Sequence, residues 1–308
     1  MSNEDQILRE SCGLFTWPAE ALVLTGADRA RFLHGYVTCD VKALEPGQSV
    51  YGFVTDAKGR ILADVTVLAL DDALWLELPL GTADAIQAHL SKYVVADRVE
   101  MSRLDRVVLG LVGPRAIEAV AAVPAAVDRH HDIEVGEIAV RIHRKSEVGE
   151  PLFTLWVPAD AVDAVRDALR ADGVVSDVSL DAFDRLRVQV GQPRFGVDFG
   201  PENFPQETGI ENAVSYEKGC YLGQEVVARI HYRGGVNRHM RRLRLSDDTP
   251  LEVVGKSLLL EERAVGTVSS VVTTADGQRL GLAVVHKRAE PGARVMIEGG
   301  GDAEIATL

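Results

Sequence analysis

Two periods govern the apolar positions of this 308-residue chain. Up to about residue 237, short runs alternating apolar and polar residues are interrupted by segments with apolar residues three and four apart. Leu22 to Leu24 predict a strand, Gly26 a turn, and DRARFLHGYV a short helix carrying Phe32, Leu33 and Tyr36 on one face. Thr25 or Asp28 is its expected cap. VYGFVTDAKGRILADVTVLAL predicts two strands around the turn DAKG, with Gly59 at the positive-φ position. ALWLELPL is a third strand. Thr82 then starts a helix through Tyr93, its apolar face being Ala85, Ile86, Leu90 and Tyr93.

The pattern partly repeats. Arg106 to Val112 reads as a strand, and Pro114 opens a helix to about Val120. IAVRIHR and LFTLWVP form a hairpin, Ala159 to Leu169 an amphipathic helix, and Leu180 to Val190 a helix stopped by Gly191 and Pro193. After Asn237 the helical period ends. RRLRL, SLLLE, AVGTVSSVVTT, LGLAVVH and RVMIE are short strands separated by SDDTP, ADGQ and EPGA. Five or so strands at this spacing predict a small β-barrel or sandwich. Strands interrupted by helices without strict alternation predict an α+β fold rather than a doubly wound sheet. Residues 1–237 are expected to form an α+β region of two subdomains meeting near residue 105, and residues 238–308 a β domain.

Composition narrows the classes. Apolar residues make up 46% of the chain and charged residues 26%, as in globular proteins with a core. No apolar run of about 18 residues is present, and MSNEDQILRES has no basic flank before an apolar stretch. The expectation is a cytoplasmic protein with no membrane contact. Cys12, Cys39 and Cys220 are odd in number and far apart, a poor basis for a disulfide framework or zinc site. One chain also lacks the four thiolates of a cubane cluster. His34 and His231 have no partners at metal-ligand spacing, so no metal site is expected. The usual nucleotide-binding glycine motifs and the G-x-S-x-G elbow are absent.

Charge is uneven. The formal net charge is −13, yet between Ser215 and Leu245 stand Lys218, Arg229, Arg233, Arg238, Arg241, Arg242 and Arg244 against Glu217 and Glu225. A local excess of this kind suits a polyanion such as phosphate, oligoglutamate or RNA; the alternative is a solvated face paired with acids elsewhere. Within it lies KGCYLGQE. Cations beside a thiol favour its reactive thiolate form, which makes Cys220 a candidate nucleophile, against the common alternative of a buried, inert cysteine. Gln224 and Glu225 open VVARIHY, a strand or the start of a helix. Asp64 is a lone acid within a predicted strand.

KGCYLGQE resembles the K-G-C-[YF]-x-G-Q-E signature of the YgfZ family, folate-binding proteins related to the glycine-cleavage aminomethyltransferase (T-protein). The resemblance continues through VVARIHYRGGVNR, PRFGVDF and ENFPQETGI, and near the N-terminus through LTGADRARFLHGYVTCDV and TDAKGRILADV. It implies a cloverleaf of mixed α/β subdomains around a tetrahydrofolate site, with a C-terminal β-barrel. It also implies a role in assembly or repair of iron–sulfur enzymes, which would be the partners. By the same resemblance Cys220 is the residue on which activity depends and Asp64 the acid–base group. Gln189, Tyr221, Gln224, Glu225, Arg229, Arg233 and Arg238 are the expected folate-binding residues, the arginines serving the glutamate tail. Two departures from the aminomethyltransferase pattern stand out. Ala63-Asp64 replaces a pair of acids, and Gln189 replaces a glutamate that holds the pterin, removing its charge assistance. The departures weigh against glycine-cleavage chemistry. Two other readings are a tetrahydrofolate-dependent one-carbon transferase and an RNA-binding or tRNA-modification factor.

Overall fold

The first strand of the chain does not join the strands that immediately follow it. In the computed structural model, which describes residues 2–120, 122–146 and 148–308, helix α1 (Asn3–Glu10) leads into β1 (Cys12–Thr16). Next come β2 (Ala19–Thr25), α2 (Arg29–His34), β3 (Ser49–Thr55), β4 (Ile61–Ala69), β5 (Ala73–Pro79), α3 (Ala83–Ser91) and β6 (Glu100–Arg103). They are followed by β7 (Arg106–Val112), β8 (His130–Val135), β9 (Ile138–Lys145), β10 (Leu152–Pro158), α4 (Val162–Arg170), β11 (Val175–Asp177) and α5 (Leu180–Val190). A largely irregular segment then carries α6 (Gln224–Arg233). The chain ends in β12 (Arg238–Leu245), β13 (Ser257–Leu260), β14 (Arg263–Thr273), β15 (Arg279–His286), β16 (Arg294–Ile297) and β17 (Asp302–Ala306).

Three sheets result. The first has the order β3-β4-β5-β2-β6, the second β11-β1-β7-β10-β9-β8, and the third is a closed barrel, β12-β15-β14-β13-β16-β17. The fold is α+β with a C-terminal barrel, as expected. Each sheet buries its own apolar face. Leu22, Leu24, Val65 and Leu76 pack under Phe32, Leu33, Ile86 and Leu90 of α2 and α3. Leu109, Leu111, Ile142 and Phe153 pack under Val165 and Leu169 of α4. Leu243, Leu258, Val268 and Ile305 fill the barrel. Burying each such side chain contributes about 1.5–3 kcal/mol.

Helix α5 has the expected bounds because both ends carry strong signals. The Ser179 hydroxyl accepts from the Ala182 amide at 3.2 Å, and Gly191 takes φ +82°. The helix lies between the second sheet and the barrel, with Phe183 stacked on Phe15 at 4.9 Å.

Several local expectations are corrected. After Pro114 there is no helix, only successive turns closed by Ala116 N–H to Gly113 O and Glu118 N–H to Arg115 O. Ile117 there is exposed, but Ala116 and Val120 are buried in the core of the second sheet, so successive turns bury the apolar positions that a helix would have buried. The Asp28 carboxylate does not cap α2 but accepts from the Arg98 amide at 2.9 Å. Thr82 turns its hydroxyl to Pro79 O (2.7 Å), and the Glu20 carboxylate from β2 accepts from the Ala83 amide instead. Ala83, not Ala85, enters the core. β17 completes the barrel as its sixth strand.

Two buried histidines join the first two sheets. His143 Nε2 lies 2.8 Å from the Ser49 hydroxyl. His130 Nε2 donates to Gln48 O at 3.1 Å while its Nδ1 accepts from Arg141 at 3.0 Å. Burial, then Arg141, pushes His130 down to about 4, with the hydrogen bond to the Gln48 carbonyl and then Asp132 opposing. Burial, then Lys145, holds His143 well below its usual value. Both rings are neutral in the fold, whereas the unfolded chain protonates near 6.5. Their contribution is complete above that pH and declines as pH falls below it; for His130 it is lost as pH falls toward 4, by about 3 kcal/mol. Thermal unfolding at pH 7 and 4.5 should show a smaller acid-induced drop for His130→Gln than for wild type. Equal drops would contradict this account.

Candidate functional site

Where the two open sheets, α5 and the loop after it converge, they enclose a cavity of about 370 Å³. Asp64, Tyr51, Glu77, Lys145, Arg187 and Arg194 supply its polar lining; Trp17, Phe183 and Phe195 contribute to its aromatic walls. Strand pairing explains the first contact. Phe53 of β3 is opposite Asp64 of β4, so Tyr51, two residues earlier, reaches diagonally and its hydroxyl donates to Asp64 Oδ2 at 2.9 Å. Lys145 at the end of β9 pairs with Glu77 of β5 at 2.9 Å, both side chains being buried. Trp17 Nε1 donates to the same Glu77 oxygen at 3.1 Å.

Arg187 of α5 ties this region together. Its guanidinium donates to Asp198 (2.6 Å), Asp184 (2.5 Å), Gln192 O (3.0 Å) and Ser270 Oγ (3.1 Å), the last on the barrel. Ser269 and Ser270 each donate to the other Asp198 oxygen at 2.6 Å. Each nitrogen of this buried charge has a hydrogen-bond partner, which makes its burial tolerable. Arg194 donates to Asp184 at 3.0 Å, but its buried Nε has no partner. Burial lowers the pKa of Arg194, with Asp184 opposing. Apolar walls with a few placed polar groups, one of them a donor lacking an acceptor, are the attributes of a small-molecule pocket.

Cys220 lies elsewhere, on an irregular loop laid across the end of α2. Leu222 N–H donates to Gly35 O at 2.9 Å, and the Thr55 hydroxyl donates to Leu222 O at 2.6 Å. The Lys218 ammonium is buried and donates to three carbonyls, His34 O, Val37 O and Cys39 O, at 2.6, 2.6 and 2.8 Å. Burial lowers Lys218 to about 8, with Cys39 and Asp40 opposing. This corrects the expectation that Lys218 serves the thiol: its three N–H bonds are taken by the backbone, because a buried ammonium needs acceptors. Cys220 itself is exposed, whereas Cys12 and Cys39 are buried and burial pushes both thiols up to about 12. Gly223, at φ +87°, starts α6 where a Cβ would meet Asp56 O at 2.4 Å. VVARIHY is therefore helical rather than a strand.

The predicted site residues fall into separate places. Asp64 lines the cavity. Tyr221 is buried beneath the Cys220 loop, its ring 5.1 Å from Lys218 Nζ; burial raises its phenol well above the usual range. Gln224 and Glu225 form the first turn of α6, and Arg229 and Arg233 are exposed along it. Arg238, at the start of β12, pairs with the buried Glu207 at 2.9 Å and with Glu202 O at 2.7 Å. Gln189 is half-buried on α5 and outside the cavity, to which that helix contributes Leu180, Phe183 and Arg187. Sequence reasoning missed Trp17, Tyr51, Glu77, Lys145 and Arg194. The available signal was a charged residue inside an apolar strand, as Glu77 in ALWLELPL.

Residues 1–218 match the family model described as the GCVT N-terminal domain. The tRNA-modifying protein YgfZ of Klebsiella pneumoniae (strain 342) is 30% identical over 276 residues, covering 87% of this chain and 83% of that protein. This chain belongs to the YgfZ family. Another relative, the tRNA-modifying protein YgfZ of Vibrio vulnificus (strain CMCP6), is 28% identical over 284 residues, covering 90% of this chain and 85% of its own length. Among solved structures, the glycine cleavage system aminomethyltransferase T from Bartonella henselae superimposes with a TM-score of 0.89 at 24% identity, covering 99% of this chain and 87% of that one. A YgfZ-family sequence thus adopts the aminomethyltransferase fold. No helix among the described residues is long and apolar enough to cross a membrane.

Proposed function

We propose that this protein binds tetrahydrofolate or a related reduced folate in the central cavity and supports assembly or repair of iron–sulfur enzymes, with Cys220 as the reactive group. The observation that carries the folate reading is the donor and acceptor set of the cavity. The Asp64 carboxylate suits the N–H groups of a pterin edge, Arg194 Nε suits an acceptor on the same ligand, and the aromatic walls suit a flat ring. Bound there, the folate would supply one-carbon carrier chemistry. The chain's own residues bind and orient it. Ala63 is buried in the first sheet and offers no second acid, so geometry gives the aminomethyl-transfer reading no support. The names of the relatives favour a link to tRNA modification, which an iron–sulfur enzyme client would provide indirectly.

Calorimetry with tetrahydrofolate tests the reading. Asp64→Asn should weaken binding roughly 10- to 100-fold, the range for a hydrogen bond to a charged group. Undetectable binding to the wild-type protein would refute the cavity assignment.

A further inference from the structure

The exposed face of α6 carries a cluster that the cavity does not use. Tyr216 and His231 stack with ring centroids 3.7 Å apart and planes 17° apart. Tyr232 stands edge-on to His231 at 4.7 Å, and 68% of its surface is exposed. Arg229 and Arg233 flank it on the same helix. The exposed Lys287 and Arg288 belong to the turn after β15, which is held near the end of α6 by Lys287 N–H donating to Asn237 O at 2.7 Å. Among the described residues none of these four cations has a carboxylate partner. Elsewhere on this acidic surface, arginines such as Arg103, Arg141, Arg166 and Arg185 are paired at 2.6–2.8 Å. The negative end of α6 accounts for Arg233 in its last turn. It accounts neither for Arg229 and the β15 turn nor for an exposed tyrosine.

We propose that this surface binds single-stranded RNA, with phosphates on Arg229, Arg233, Lys287 and Arg288 and a base stacked on Tyr232. Unpaired arginines beside an exposed aromatic ring, with two more cations on the turn tied to the segment after α6, meet both requirements of a single strand, a charged backbone and free base faces. A duplex hides its base faces, and an acidic peptide would make no use of the ring. The inference is independent of folate and is tested on folate-free protein.

Fluorescence anisotropy with a labelled single-stranded RNA of about twelve nucleotides decides it. Tyr232→Ala should weaken binding roughly 5- to 100-fold, Tyr232→Phe hardly at all, and neither should change the salt slope. The double variant Arg229→Ala/Arg233→Ala should reduce the slope of log affinity against log salt by about 1.4, two phosphate contacts' worth. All three substituted positions are exposed, and matching melting curves would confirm that the fold is intact. Binding of the matching duplex or of polyglutamate as tightly as the single strand would overturn the proposal. So would an unchanged affinity in Tyr232→Ala.

Discussion

Replacing Cys220 by serine is expected to abolish restoration of iron–sulfur enzyme activity in a deletion strain, while leaving folding and folate binding intact. The expectation rests on where the three thiols lie. Cys12 and Cys39 are buried and held protonated by burial, so under native conditions an alkylating reagent should label Cys220 alone. Because Cys220 is exposed, serine removes no core contact, and surface exchanges usually change stability by no more than about 0.5 kcal/mol. Serine keeps a hydrogen-bonding group of similar size but lacks the nucleophile. Complementation must be read beside the melting curve and the folate titration, which separate a lost thiol from a lost fold. Full complementation by the folded serine variant would reduce Cys220 to a surface residue and remove the thiol from the proposed function.

The sequence made elements legible where both ends were marked. α5 is bounded by a serine cap and a left-handed glycine, and the hairpin β3–β4 turns at Gly59, φ +75°. The segment after Pro114 failed because apolar spacing does not by itself select a helix: Ala116 and Val120 reach the second core from successive turns instead. The swap of β1 into the second sheet left no local trace, since strand pairing over about a hundred residues is a tertiary choice. The same divide separates the site residues. Cys220 could be found because its motif is contiguous. The Lys145–Glu77 pair and the orphaned Arg194 Nε exist only once two sheets and a loop meet. Charge counting likewise located the basic segment but could not distinguish Arg238, paired with Glu207, from Arg229 and Arg233, which have no carboxylate partner among the described residues.

Lys218→Met should destabilise the protein and loosen the Cys220 loop, and Lys218→Arg should not rescue it. The ammonium is surrounded by three carbonyl oxygens at 2.6–2.8 Å, matching its three tetrahedrally arranged N–H bonds. These acceptors come from the end of α2 and the turn after it, where helix carbonyls have no partners of their own. Methionine preserves the aliphatic volume, so packing is kept and the polar deficit is isolated. Removing the donor strands up to three carbonyls, and relief of the buried charge offsets part of that loss; the net is about 3 kcal/mol. The melting temperature should therefore fall by roughly 5–10 °C. Arginine retains the charge, but its planar fork cannot direct three bonds into a cup built around a single nitrogen. The loop is expected to respond more strongly than the global fold: its amides should exchange faster with solvent deuterium, and Cys220 alkylation should change while Cys12 and Cys39 stay protected. If Lys218→Arg instead restores the wild-type melting temperature and exchange pattern, positive charge rather than carbonyl geometry holds the loop.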